Sequence, residues 1–228
     1  MVNSFKRFHP EIDLVVFRQD IIDQVFKEKK VNFYNAKPTF AKILAKHYDL
    51  VVNIDADSVV LGRLETILAP DYEIGCVSNY NTYENRSIEN VTEEMFLNAG
   101  LVASRNPKFW DIWEKENGKG DIFRYTCKEN DVLNLLWYNN SEIKKMKHKV
   151  FDLEKDFYGC KSLGKEHLFY VKDNKVMCEK EQVFVYHHAK GQAALPKLQF
   201  ENMGFTPEVV KLMNAITIYG KTERYSSI

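Results

Sequence analysis

The 228-residue chain contains no long hydrophobic run. None of its apolar stretches approaches the roughly 20 consecutive residues that a membrane-spanning helix needs. The first residues, Met1–Lys6, also lack the apolar core of a signal peptide. We therefore expect no membrane span and a cytoplasmic location.

Cysteines are few, and none of them forms a Cys-x-x-Cys pair. The spacing gives neither the clustered ligands of a zinc site nor the dense framework of a disulfide-stabilised domain. It favours reduced thiols in the cytosol. The four cysteines are Cys76, Cys127, Cys160 and Cys178.

Neither sign of charge is in excess, and no linker divides the chain. Lysine plus arginine and aspartate plus glutamate number 32 each, without long blocks of one sign. This balance argues against a nucleic acid or an anionic membrane as the main partner. Because no stretch is rich in Pro, Gly or Ser, we predict a single domain over residues 1–228.

Apolar runs alternate with helical periodicity through the first half, which predicts an α/β fold with strands buried on both faces. The predicted strands are Leu14–Phe17, Leu50–Ile54, Glu73–Ser78, Phe96–Ala103, Phe169–Val171 and Val183–Tyr186. The predicted helices cover Ile21–Phe26, a segment with Pro38 in its first turn, a segment after Pro107, Asp131–Trp137 and Pro207–Ile218.

Two aspartates, Asp55 and Asp57, follow the predicted strand Leu50–Ile54. Side chains at i and i+2 of a strand point to the same side, so both carboxylates can converge on one hard cation. Ligands of open α/β sheets bind at the carboxyl ends of strands, which places the pair well for a metal site. The alternative is a solvated turn with two surface aspartates.

Three later segments carry polar side chains in the same kind of context. Asn98–Gly100 interrupts an apolar strand with small residues, as expected where a ligand or another backbone comes close or where the strand has a β-bulge. Glu129–Asp131 lies at a predicted helix start, where capping alone would explain its acids. His187–Gly191 ends a strand with two histidines, a lysine and a glycine, which suits a metal ligand beside an anion-binding cation.

Together and in this order, the four segments resemble the motifs of nucleotide-sugar glycosyltransferases of the GT-A fold. The resemblance is closest to glycosyltransferase family 8, which includes glycogenin and bacterial lipopolysaccharide galactosyltransferases, and it spans residues 10–197. It implies a Rossmann-like, mixed but mainly parallel sheet flanked by helices. It also implies transfer of a hexose from a nucleotide diphosphate sugar, expected to be a UDP-hexose, to a glycan or another hydroxyl acceptor.

The resemblance further implies roles for individual residues. Asp55, Asp57 and His188 would hold Mn²⁺, with Mg²⁺ as the alternative ion and His187 as the alternative ligand. The segment expected at the anomeric carbon is Glu129, Asn130 and Asp131. The residues predicted to bind the donor are Lys42, Asn79, Asn98, Ala99, Gly100, Lys190, Gly191 and Lys197.

The chain departs from the family at three points that affect these expectations. Ala194–Lys197 replaces the Lys-Pro-Trp that often follows the histidine motif. Glu129–Asp131 replaces the usual Asp-Gln-Asp, which leaves the stereochemistry open; we expect retention, and in an inverting reaction Glu129 or Asp131 would be the general base. The family's first strand has no counterpart. We therefore expect an unpaired strand edge that another segment, a partner or Thr217–Ile228 covers, or else a native start codon upstream.

Two other functions are consistent with the same residues. A non-catalytic module that binds a nucleotide sugar or a glycan would need the same binding groups without turnover. A metal-dependent phosphohydrolase would also use paired aspartates, but its nucleophilic aspartate usually follows the first strand of the fold. Here the pair comes after at least one other predicted strand.

Overall fold

The computed structural model describes residues 2–17, 19–27, 33–78, 88, 91–92, 96–118, 129–151, 157–159, 164–187 and 200–217. Its helices are α1 Val2–Phe8, α2 Gln19–Phe26, α3 Phe33–Leu44, α4 Glu65–Leu68, α5 Pro107–Gly118, α6 Glu129–Asn139 and α7 Pro207–Thr217. Its strands are β1 Val51–Ile54, β2 Ser58–Val60, β3 Ile74–Ser78, β4 Leu97–Ser104, β5 His148–Val150, β6 Phe157–Gly159, β7 Phe169–Lys172, β8 Lys175–Cys178 and β9 Glu181–His187.

The described strands form two sheets, and the fold is mixed α/β as predicted. The first sheet has the order β1-β4-β3-β5, in which only the β3–β5 pairing is parallel. The second has the order β2-β9-β8-β7 with antiparallel pairing, and β6 joins β9 in parallel. The expected mainly parallel sheet is therefore not found among the described strands.

Burial on both faces explains why the apolar runs read as parallel strands. All eight residues of β4 are buried. One face of its sheet packs on α3, α5 and α6 through residues such as Trp110 and Val132, and the other packs on the second sheet through residues such as Leu101 and Tyr158. A strand covered on both sides shows no polar alternation, whichever direction its neighbours run.

A bulge in β4 interrupts its pairing with β3. The register with β3 shifts between Cys76 and Val77, which pair with Val102 and Asn98. The three residues Ala99–Leu101 therefore face no residue of β3. The bulge that the sequence left open as an explanation of Asn98–Gly100 is present.

Two predictions about the N-terminal third were wrong. Leu14–Phe17 has no regular secondary structure, since no described strand pairs with it. Pro38 lies inside α3 rather than in its first turn, because the helix begins five residues earlier, at Phe33. The buried residues Ala36, Phe40 and Ala41 hold this helix against its neighbours despite the missing proline N–H.

Strand β1 is the outer strand in the described part of its sheet, and a cavity of about 350 Å³ runs along it. One wall includes Phe5 of α1 and Ile67 of α4, and another includes Phe40 of α3. The cavity reaches Asp55 at the carboxyl end of β1. It lies beside the strand edge that the resemblance leads us to expect without a neighbour.

Among the described helices, none combines the length and the apolar character needed to cross a bilayer.

Candidate metal centre

The two aspartates lie in the turn that carries the chain from one sheet to the other. Strand β1 ends at Ile54, and the backbone N–H of Asp55 donates to the carbonyl of Gly100 on β4 at 2.8 Å. The N–H of Ser58, the first residue of β2, donates to the carbonyl of Asp55 at 3.0 Å. The carboxylates of Asp55 and Asp57 thus converge through a tight turn, not through i and i+2 positions of one strand.

His187 brings an imidazole to the same place. It is the last residue of β9 and pairs with Ser58 across the second sheet. Its Nε2 lies 3.1 Å from Oδ1 of Asp57 and 3.7 Å from Oδ2 of Asp55. One potential ligand atom from each of the three residues lies within 4.8 Å of the others.

The three side chains are shielded from water to different degrees. The His187 side chain is 6% exposed, and those of Asp55 and Asp57 are 22% and 33% exposed. Burial alone would raise the pKa of Asp57, but the hydrogen bond and charge of His187 outweigh it and leave the pKa below its ordinary value. Asp57 is therefore held as a carboxylate, the form that binds a cation.

Gly100 is required by the position of His187. A Cβ atom at Gly100 would lie 2.3 Å from Cε1 and 2.6 Å from Nδ1 of His187. It would also lie 2.7 Å from Oδ1 of Asn98, the atom that accepts the N–H of Gly100. The missing side chain of Gly100 therefore admits the histidine ring, whereas the sequence predicted the approach of a ligand or another backbone.

Lys37 of α3 is a buried lysine whose ammonium group contacts both Asp55 and Glu129. Its Nζ lies 2.6 Å from Oδ1 of Asp55 and 3.1 Å from Oε1 of Glu129, the first residue of α6. The Lys37 and Glu129 side chains are 7% and 8% exposed. Burial alone would lower the pKa of Lys37, but the two carboxylates raise it well above the ordinary lysine value, so the ammonium stays charged.

Glu129 has an environment that opposes its ionisation. Burial raises the pKa of its carboxyl above the ordinary value, and the charge of Lys37 and a backbone hydrogen bond offset only part of that rise. Asp131, another residue of the predicted catalytic segment, is 4% exposed. Within that segment, Glu129 is linked to the candidate metal site because Lys37 contacts both Glu129 and Asp55.

Asn130 and Asn134 attach the start of α6 to β4. The N–H of Ala99 donates to Oδ1 of Asn130 at 2.7 Å. The N–H of Leu97 donates to Oδ1 of Asn134 at 2.8 Å, and Nδ2 of Asn134 donates to the carbonyl of Leu97 at 2.9 Å. The amide of Asn130 is thus engaged by the strand backbone, and this contact fixes the helix end that carries Glu129.

Lys42, predicted to bind a phosphate, lies on a different face of α3 from Lys37. Its Nζ is 2.8 Å from Oδ1 of Asp111 and 2.7 Å from Oε2 of Glu114, both on α5. The structure does not bring it to the aspartate pair. The predicted residues Asn79, His188, Lys190, Gly191 and Lys197 lie outside the described residues.

Sequence reasoning missed Lys37, whereas it named His187 as the alternative to His188 as the histidine ligand. A signal for Lys37 was present, because it lies three and four residues before the buried Phe40 and Ala41 and so shares their helix face. A lysine on an apolar helix face needs a buried carboxylate as partner.

The donor set suits a divalent cation. Two carboxylates and one imidazole are ligands shared by Mn²⁺ and its neighbours in the first transition row, whereas Mg²⁺ prefers oxygen alone. Ligand atoms on one such ion, at about 2.1 Å from it, lie at most about 4.2 Å apart, so small side-chain adjustments suffice.

No protein-family model matches the chain, and no curated protein is significantly similar to it.

Proposed function

We propose that the protein is a metal-dependent hexosyltransferase, which uses a nucleotide diphosphate sugar, expected to be a UDP-hexose, to glycosylate a hydroxyl group of a glycan. The observation that carries the proposal is the convergence of Asp55, Asp57 and His187 where β1 passes into β2, with Glu129 joined to the same cluster through Lys37. The order of the four motifs along the chain, which resembles that of glycosyltransferase family 8, also supports it.

The two aspartates and the histidine would hold Mn²⁺, or alternatively Mg²⁺. The ion would supply positive charge at the diphosphate, where negative charge accumulates as the bond between the anomeric carbon of the sugar and the diphosphate oxygen breaks. Three residues close in sequence to His187 remain predicted contributors to this site, namely His188, Lys190 and Lys197.

Glu129 is the group assigned to the sugar side. The start of α6, anchored to β4 by Asn130 and Asn134, holds it in a fixed position. As a carboxylate it would stabilise positive charge that develops at the anomeric carbon in an oxocarbenium-like transition state. Asn98 and Asn79 are proposed to hydrogen-bond sugar hydroxyls, and we expect the product to retain the donor's anomeric configuration.

The ion pair between Lys37 and Glu129 gives weight to one alternative. Since the pair neutralises the proposed catalytic carboxylate, a module that binds the nucleotide sugar without transferring it would show the same contacts. Turnover separates the two functions.

The test is incubation of the full chain with Mn²⁺ and a panel of UDP- and GDP-hexoses, with release of the nucleoside diphosphate followed by chromatography and the sugar product by NMR. We expect Mn²⁺-dependent release from at least one UDP-hexose, including slow transfer to water, and its loss in the Asp55→Ala, Asp57→Ala double variant. Donor binding without release from any member of the panel would establish the binding module instead.

A further inference from the structure

Lys37 lies where a cation bound by Asp55 would meet it. Its ammonium is 2.6 Å from Oδ1 of Asp55, while the other oxygen of that carboxylate faces His187 at 3.7 Å. The lysine and the candidate metal ligands therefore share one carboxylate. An ammonium ion at hydrogen-bond distance from a carboxylate repels a second cation on the same group.

The charges of the neighbouring side chains determine how strongly Lys37 opposes the binding of a cation. Asp55, Asp57 and Glu129 carry three negative charges when ionised, and Lys37 supplies one positive charge in their midst. With a 7% exposed side chain, Lys37 is held inside the cluster by its ion pairs with Asp55 and Glu129. A divalent cation thus enters a site that already contains a fixed positive charge.

We infer that Lys37 is a built-in counter-ion that suppresses cation binding until the donor's diphosphate is present. The inference rests on the proposed function, and it adds a form of regulation to that site. A nucleoside diphosphate carries at least two negative charges. These charges compensate the positive charges of both the cation and Lys37. Cation and diphosphate should therefore bind with strong positive coupling, and Lys37 should be the source of much of it.

The experiment measures Mn²⁺ binding by the EPR signal of the free ion, in titrations of the full chain with and without UDP. Wild type is expected to bind Mn²⁺ weakly alone and about tenfold or more tightly with UDP. Lys37→Met should bind Mn²⁺ about tenfold more tightly than wild type without UDP, and the gain from UDP should shrink by a similar factor. Lys37→Arg, which keeps the charge, should behave like wild type.

Two controls keep the result interpretable. Lys46→Met removes an exposed lysine just beyond α3 and should leave both affinities unchanged. Lys37→Met leaves the buried carboxylate of Glu129 and the partly buried one of Asp55 without their cation. The pair Glu129→Gln and Lys37→Met/Glu129→Gln therefore provides a second comparison with less buried charge. Within that pair, the variant without Lys37 should again bind Mn²⁺ more tightly.

The outcomes separate this inference from the function on which it rests. If Asp55→Ala/Asp57→Ala abolishes Mn²⁺ binding while Lys37→Met binds no more tightly than wild type and keeps the full gain from UDP, the counter-ion role is wrong and the metal site stands. If wild type binds no Mn²⁺ even with UDP, both are wrong.

Discussion

At the residue scale, Gly100 tests whether the position of His187 matters for the site. Gly100→Ala places a methyl group 2.3 Å from Cε1 of His187, so the ring must leave its present position beside Asp57. Strand β4 has little freedom to shift here, because Gly100 accepts the N–H of Asp55 and the residues on either side of the bulge pair with β3. We expect a loss of about 1–3 kcal/mol in the free energy of unfolding and a marked fall in Mn²⁺ affinity in the presence of UDP.

The control for this substitution is Gly118→Ala. Gly118 ends α5, and an added Cβ atom there meets nothing within 4 Å. Alanine favours a helix by up to about 1 kcal/mol over glycine, so stability should stay the same or rise while Mn²⁺ affinity is unchanged. Unaltered Mn²⁺ binding in Gly100→Ala would show that His187 is not a ligand.

Glu129→Gln tests the role assigned to the sugar side of the site. A group that acts at the anomeric carbon matters mainly in the transition state. The substitution should therefore lower kcat by a large factor while the affinity for the donor changes little. Steady-state kinetics and donor titrations measure the two effects, and an equal loss in both would assign Glu129 to ground-state binding.

The two lysines of α3 show what residue type and spacing predict at this scale. The sequence predicts a phosphate contact for Lys42, because its helix precedes the aspartate strand. In the structure, Lys42 instead pairs with Asp111 and Glu114 of α5. Lys37, which the sequence reasoning passed over, reaches Asp55 because its helix face is the buried one. Spacing along a helix indicates the face, but only the packing of that helix shows which carboxylate lies opposite.

At the scale of elements, the buried amide of Asn134 makes two of the hydrogen bonds that join α6 to β4. Asn134 is fully buried, and its side chain satisfies both the N–H and the carbonyl of Leu97. Asn134→Ala leaves these groups without partners at a cost of about 1–3 kcal/mol each. We expect about 3 kcal/mol less stability in urea unfolding and a displaced Glu129.

Asn214→Ala is the matched control for Asn134→Ala. Asn214 also lies in a helix and makes one exposed side-chain hydrogen bond, to Glu201. Its loss should change stability by no more than about 0.5 kcal/mol. Equal losses for the two variants would mean that the amide of Asn134 does not anchor α6.

Strand β1 yields a second prediction at this scale, through the direction of its amides. The N–H of Asp55 donates to Gly100, its partner in register, so the N–H groups of residues 53 and 55 point toward β4. Those of Val52 and Ile54 point away from β4, toward the cavity edge. In hydrogen exchange, Val52 and Ile54 should exchange at least about tenfold faster than Asn53 and Asp55.

Comparable protection of all four amides would show that another segment or a partner pairs with the outer edge of β1. That outcome would match the expectation from the sequence that such an edge is covered.

Most long elements could be predicted from periodicity, whereas pairing direction could not. The amphipathic spacing in α5 and α6 and the apolar run of β4 identify these elements in the sequence. The run Leu14–Phe17 has the same composition as a strand, but a strand also needs a neighbour, which lies far away in sequence. The short strands β2, β5 and β8 have three or four residues each, and none has an apolar run comparable with that of β4.

At the scale of the whole molecule, the site exists because two sheets meet. Asp55 belongs to the end of the first sheet, Asp57 to the turn between them and His187 to the second, while Lys37 and Glu129 come from helices on the far side of the first. No local pattern joins residues 37, 55, 129 and 187. The resemblance in motif order predicted the aspartates and Glu129 as one site, and the fold added the lysine.

The most direct measurement of the central claim is the thermal stability of the full chain with Mn²⁺, with UDP and with both. Because the aspartates, His187 and the diphosphate would complete one coordination shell, the two ligands together should raise Tm far more than the sum of their separate effects. Asp55→Ala, Asp57→Ala and His187→Ala should each abolish this synergy. If the Asp55→Ala/Asp57→Ala double variant keeps it, the aspartate pair is not the metal site and the proposed function loses its main support.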